Sequence, residues 1–303
     1  GTPIPGLKPE LQQKLVQARR WYEQLGAEGE LSGLLKVLAG EYLPTSYGGD
    51  PVKNPDALPT GRNLYGFDPS RVPTKAAWEA GREAMDQLIA AHARQTGQAP
   101  AKLTLTLWSV ETMRHFGLLE AQALWALGVE PVWDAGGRVA DVKLIPRTAL
   151  GRPRVDIVLS ATGLYRDHFP NAMRQLAKAA KLAAEADEAD NPVAANARRI
   201  EAALIARGAP AEAARRAGQT RLFSSESGQY GSGLDEAAIA TDTWTTQAEA
   251  DRQLAELYLR RMQYAYGPDE THWGRAEAGT NLYAEHLRGT QGAVLARTSH
   301  LYG

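Results

Sequence analysis

The sequence predicts an α/β fold: a mostly parallel sheet flanked by helices on both faces, with a helical N-terminal segment and an alanine-rich helical region. Three observations carry this. Val155–Ala161 is an apolar run broken only by Asp156 and Ser160, as expected of a strand buried on both faces. Lys102–Trp108 alternates strictly between apolar and polar residues and reads as a second strand. Helical spacings fill the stretches between strand candidates. The organisation that follows is a helical segment over 1–41, a proline-rich ordered loop over 42–73 and an α/β domain over 74–303.

Taken in order, Leu11, Leu15, Tyr22 and Leu25 are spaced for a helix over Lys8–Leu25, with Pro9 suited to its first turn. A short helix over Leu31–Ala39 follows. Tyr42–Pro73 holds prolines 44, 51, 55, 59, 69 and 73, so it is irregular, and its aromatic residues imply that it packs. Thr74 caps a helix over Lys75–Arg94, with Trp78, Met85, Leu88, Ile89 and His92 on its buried stripe. After the strand Lys102–Trp108, a helix opens at Ser109, breaks at Gly117 and ends at Gly128. Val129–Asp134 and Arg138–Ile145 are further strand candidates. Asn191-Pro192 and Gly208–Pro210 divide Asn171–Ala217 into three helices. Thr220–Ser224 is a strand, Ser225–Gly233 a loop, Gln247–Tyr264 and Arg275–Leu287 helices, and Ala293–Ala296 the start of a last strand.

Composition excludes several functions. Lys and Arg total 34 against 35 Asp and Glu, which removes a general electrostatic case for nucleic acid. No apolar run reaches the ~20 residues of a membrane span. The absence of cysteine rules out disulfides, thiolate metal sites and a cysteine nucleophile, and fits a cytoplasmic protein. There is no GxxxxGK[ST] phosphate loop, no HExxH and no GxSxG. The chain opens on Gly-Thr-Pro without an initiator Met, which predicts a piece of something longer.

In a parallel sheet, Trp108-Ser109, Asp134, Arg166-Asp167, Ser224–Tyr230 and Thr298–His300 emerge at carboxyl ends of strands, where ligands bind. Two readings of Arg166-Asp167 stand: a ligand contact, or a pair that closes on itself. GQYGSG is either a binding loop or a plain turn. His92 reads as core, and His115 and His286 as surface or supporting residues within helices. His300, beyond a strand end, is the histidine placed to ligate a metal or move a proton. Aromatic residues near the strand ends, Trp108, Trp125, Trp133, Tyr165, Tyr230 and Trp244, suit a large planar carboxylated ligand.

Four segments carry more than their chemistry. They are Gly48–Trp78, with GGDP, PTGRN and DPSRVPT; Ala126–Met173, with LGRPRVD and GLYRD; Arg221–Leu234, RLFSSESGQYGSGL; and Tyr258–Gly267, YLRRMQYAYG. In this order they resemble the CobN/magnesium-chelatase large-subunit family. The resemblance implies a carboxyl-side internal portion of a much longer subunit that binds a metal-free tetrapyrrole. It implies ATP-dependent insertion of Co²⁺ into a corrinoid, or alternatively of Mg²⁺ into protoporphyrin. Co²⁺ or Mg²⁺ is then the substrate metal. ATP is used by a partner AAA+ subunit, alongside an adaptor subunit with an integrin-I domain, and the isolated piece is expected to be inactive. A reading of a different class is a non-enzymatic tetrapyrrole-binding α/β module. The resemblance further implies that Arg62, Asn63 and Arg166 meet substrate, with Asp167 orienting Arg166. Tyr230, Gly228 and Gly231 would cover the macrocycle, and His300 would take a pyrrole proton or hold the metal.

Overall fold

A computed structural model describes residues 8–44, 57–62, 67–231, 234, 237, 246–277 and 279–295. The chain divides into two compact units, residues 1–67 and 68–303. In the smaller unit, Pro9 opens α1 (Pro9–Leu25), and α2 spans Gly29–Leu38. The α1 stripe forms as a helix but buries none of its residues, and Leu11, Leu15, Tyr22 and Leu25 are all exposed. Gly29 and Gly33 lie against the carbonyls of Thr60 and Gly61, where any side chain would collide with backbone. The Thr60 hydroxyl donates to the Glu30 carboxylate across that contact.

The larger unit holds a five-stranded sheet. Its first strand, β1 (Lys102–Leu107), follows α3 (Lys75–Thr96), whose first turn is capped by the Thr74 hydroxyl and whose end is Gly97 at φ +86°. Next come α4 (Ser109–His115) and α5 (Leu118–Leu127), then β2 (Val129–Trp133), β3 (Val139–Leu144) and the single turn α6 (Arg147–Leu150). The central strand is β4 (Asp156–Ala161), buried at every position. Helices α7 (Gly163–His168), α8 (Pro170–Glu185), α9 (Pro192–Ala206) and α10 (Ala211–Gln219) lead to β5 (Leu222–Ser224). The remaining described elements are α11 (Gln247–Arg261), β6 (Tyr264–Ala265), α12 (Leu282–Leu287) and β7 (Ala293–Val294).

Strand order is β6-β5-β4-β1-β7, parallel except for β6. Helices cover both faces. Val158 and Phe223 pack under Ile200, Leu204, Ala214, Ala217, Met262, Leu282 and Tyr283. The alternate β4 residues Ile157, Leu159 and Ala161 are equally buried, and α5 and α8 pack against the sheet.

The two breaks that divide the alanine-rich region into three helices fall as expected, at Asn191-Pro192 and Gly208–Pro210. Four expectations are corrected. β2 and β3 pair with each other as a separate antiparallel ribbon, so Asp134 sits in their hairpin, accepting from Arg138 N at 2.8 Å, and not at the edge of the main sheet. The helix expected over Arg275–Leu287 covers only its last six residues. Arg275 instead bridges Ala265, Gly279 adopts φ +74°, and Asn281 caps the helix. His286, expected near the surface, is fully buried, because α12 packs over Phe223 (ring centroids 5.4 Å apart). His92 is only half-buried, its Nδ1 bonded to Gln98 O at the helix end.

Charged side chains sit beneath the amino ends of the strands. Asp156, wholly buried, accepts from Arg221 Nε at 2.6 Å and Asn196 Nδ2 at 2.8 Å, and lies 3.7 Å from Lys102 Nζ. Lys102 also donates to the His286 and Arg288 carbonyls, and Arg221 to those of Gly218, Thr220 and Val193. Burial pulls the Lys102 ammonium below its ordinary range, against the raising effect of Asp156.

Candidate functional site

Because β1, β4 and β5 run parallel, the segments that follow them leave the sheet on one side. After β1 come Trp108 and Ser109; after β4, Thr162 and α7; after β5, Ser225–Gly231. Thr162 N donates to Leu107 O at 3.0 Å, tying the first two exits together, and the Thr162 hydroxyl caps α7 at Tyr165 N.

Arg166 closes this edge. It is 7% exposed, and nearly all its donors are in use. Nε donates to Asp167 Oδ1 at 2.8 Å and Nη2 to Asp167 Oδ2 at 3.4 Å, while Nη1 donates to the carbonyls of Ser225 and Glu226, both at 2.9 Å. The β5 loop is thereby clasped to α7. Within the loop, Gln229 N returns to Glu226 O and the Ser225 hydroxyl donates to Gln229 O at 2.7 Å. Gly228 supplies the φ of +83° that this turn needs. Gly163 lets the loop approach: a Cβ there would sit 3.0 Å from Tyr230 Cα.

The loop presents Tyr230, 56% exposed, its ring 5.9 Å from the Arg166 guanidinium carbon. Gly231 beside it is exposed. The Arg166 guanidinium holds the Asp167 carboxyl below the usual carboxylate range, against a smaller effect of burial, and the Tyr230 hydroxyl adds to the lowering. The same contact with Asp167 raises the Tyr230 phenol. Tyr266, beneath Arg166, is raised by burial, against the opposing pull of the guanidinium. Burial alone would lower Arg166, and Asp167 and Tyr266 more than reverse it. Trp108, Val110, Leu164 and Tyr230, all on edge segments, leave large apolar side chains exposed. The edge therefore combines an apolar rim with a rigid polar clasp, a combination suited to a flat, partly apolar ligand.

The structure thus brings together Arg166, Asp167, Gly228, Tyr230 and Gly231 of the expected site. Arg62 lies in the smaller unit, its Nε and Nη2 donating to the Pro59 and Leu58 carbonyls, both at 3.3 Å. Asn63, Trp244 and Thr298–His300 fall outside the described residues. Trp125 and Trp133 pack edge-on against Trp78, at 6.0 and 6.4 Å, within the layer formed with α3. Among the described residues no group of three or more His, Asp and Glu could hold a metal ion. No described helix is long and apolar enough to cross a membrane. Sequence reasoning placed Ser109 at a strand end but missed its partner His168, whose Nδ1 meets the Ser109 Oγ at 2.7 Å across 59 residues of chain, and it missed Tyr266. His168 adjoins Arg166-Asp167, which was the available signal.

The sequence model of a family described as CobN/Magnesium Chelatase matches residues 6–303. The chain belongs to the CobN/magnesium chelatase family. Within that family it is 43% identical over 243 residues to the aerobic cobaltochelatase subunit CobN of Pseudomonas aeruginosa, covering 78% of this chain and 19% of the relative. It is 36% identical over 252 residues to the chloroplastic magnesium-chelatase subunit ChlH of Oryza sativa, covering 83% and 17%. A solved structure, the catalytic subunit of cobaltochelatase from Mycobacterium tuberculosis, superposes with a TM-score of 0.74 at 35% identity, over 88% of this chain and 22% of that one. The chain spans about a fifth of the length of these relatives.

Proposed function

We propose that this chain is a tetrapyrrole-binding portion of the large subunit of an ATP-dependent chelatase that inserts Co²⁺ into a metal-free corrinoid, in the cytoplasm where ATP is at hand. The observation that carries the reading is the carboxyl edge, where Arg166 clasps the Tyr230 loop beside the exposed Trp108, Val110 and Leu164. A macrocycle face stacks on such a rim, and its polar substituents meet the clasp. Arg166, with most of its N–H groups used within the protein, acts by holding Tyr230 in place. Arg62 and Asn63 are assigned as further substrate contacts.

Metal insertion displaces the single inner N–H proton of a corrin ring, or the two of a porphyrin, so a base must take up what is released. We assign that task to His300, which as neutral imidazole can alternatively hold the incoming metal. In this reading ATP is hydrolysed by an AAA+ partner, coupled through an adaptor with an integrin-I domain. Cobalt is our choice over magnesium, supported by identities of 43% and 39% to two cobaltochelatase subunits against 36% and 37% to two magnesium-chelatase subunits, a difference of a few per cent.

The test is tryptophan quenching on titration with metal-free corrinoid and with protoporphyrin, since the chain has seven tryptophans. Saturable quenching by the corrinoid alone is expected. Quenching by protoporphyrin alone would turn the assignment to magnesium, and binding of neither would overturn it.

A further inference from the structure

The Ser109–His168 pair belongs to no role assigned so far. Ser109 opens α4 directly after β1, and His168 closes α7 directly after β4. These strands are neighbours in register, Leu107 facing Ala161, so the two exits run side by side. Ser109 is 2% exposed, and its Oγ meets His168 Nδ1 at 2.7 Å. No second partner of that hydroxyl exists among the described residues. Either atom of this pair can be the donor; with the hydroxyl donating, its proton is satisfied, whereas an accepting hydroxyl would leave that proton without a partner among the described residues. This arrangement assigns the ring proton of the neutral imidazole to Nε2.

The ring is braced from below as well. It stands edge-on to Phe169, at 6.4 Å and 71°, and Phe169 is fully buried and stacked on Tyr165 at 5.0 Å. The imidazole is thus held at Nδ1 by Ser109 and by its edge-on contact with Phe169, while the residue remains exposed. Arg166, two residues earlier, directs its guanidinium to Asp167 and to the Ser225 and Glu226 carbonyls, and the Tyr230 hydroxyl lies on Asp167. His168 Nε2–H has no protein partner among the described residues.

We propose that His168, oriented by Ser109, donates its Nε2–H to a peripheral carboxylate of the macrocycle and so selects substrates bearing a free acid at that position. This rests on the tetrapyrrole reading and refines it. An outward N–H of fixed direction fits a carboxylate oxygen, and a bond with one ionised partner is roughly twice as strong as a neutral one. Ser109 is the positioning residue: without it the ring can rotate or change tautomer.

The probes are a metal-free corrinoid with two free peripheral carboxylates, the diacid, and the same corrinoid with both converted to amides, the bis-amide, both titrated by tryptophan quenching into the whole chain. Relative to wild type, H168A is expected to bind the diacid about tenfold more weakly. The bis-amide should bind both proteins within about twofold. H168Q, which keeps an N–H at the equivalent reach, should recover most of the diacid affinity. S109A should lose about threefold for the diacid alone. Unfolding midpoints, measured in parallel, confirm that each variant is folded. Unchanged diacid binding by H168A overturns the proposal. Equal losses for both probes also overturn it, since His168 would then act by packing, and so does failure of H168Q to rescue. If wild type binds neither probe, the tetrapyrrole reading itself falls, and this refinement falls with it.

Discussion

Replacing Gly163 by alanine tests whether the Tyr230 loop is held at its present distance for a purpose. The added methyl would sit 3.0 Å from both Tyr230 Cα and Cδ1, with the Gln229 carbonyl oxygen closer still. Carbon atoms rest at ~3.5–4.0 Å, so the loop must withdraw by roughly 0.5–1 Å. A rigid retreat of that size stretches the Arg166 bonds to Ser225 O and Glu226 O, now 2.9 Å each, toward or beyond the hydrogen-bond limit. Overpacking of this kind costs about 1–3 kcal/mol. Across the 68–303 unit this corresponds to a melting point lowered by about 2–10 °C. Calorimetry and macrocycle quenching on the same preparation read both effects. G163A should melt earlier and bind more weakly, with Tyr230 displaced. An unchanged melting point together with unchanged binding would refute the idea that Gly163 admits the loop.

Three further outcomes follow from the charged groups. Asp156→Ala leaves Arg221 and Lys102 buried without their carboxylate, and urea unfolding should show a loss of about 3–5 kcal/mol; a loss under about 1 kcal/mol would contradict the network's role. The His286 imidazole is held well below its ordinary range by burial first and by Arg221 next, so it stays neutral in the fold while the unfolded chain protonates near pH ~6.5. Stability should therefore fall as pH drops below that value, by up to about 1.4 kcal/mol per pH unit, and H286Q, which keeps the bond to Ala217 O, should flatten the slope. Asp167 carries the opposite charge type but the same sign of dependence. Its lowered carboxyl contributes stability above the ordinary carboxylate range and loses it as pH falls through the depressed value, so wild type and D167N should converge in unfolding midpoint in strong acid.

Much of the fold was legible because its determinants are local. Asn191-Pro192 carries its own cap, the Asn191 side chain accepting from Val193 N and Ala194 N, and Thr74 caps α3 in the same way. The unbroken burial of β4 was visible as an apolar run, whereas the ion partners of its first residue, Asp156, were not, since Arg221 and Lys102 come from other strands' starts. What escaped depends on distant partners. The β2–β3 ribbon reads like two more sheet strands until its pairing is known, which is why Asp134 was expected at the edge. His286 has no sequence mark of burial, since its neighbours Phe223 and Ala217 come from β5 and α10. At the site, the side chains were readable as types and the clasp was not. Arg166 finds its acceptors about sixty residues away, as main-chain carbonyls that no motif displays.

The ion cluster at the amino ends of the strands has a consequence at their far ends. Lys102 faces Asp156 in the ladder, and five steps on, Leu107 faces Ala161. A strand advances ~3.3 Å per residue, so a one-place slip would carry Ser109 away from His168 by more than the length of the bond joining them. Slippage would also drag Lys102 off its buried counter-charge, a penalty that an apolar contact could not impose so steeply. The cluster works like the stop on a ruler. It lies at the opposite end of the strands from the Arg166 clasp, and it sets the alignment with which two loops meet there.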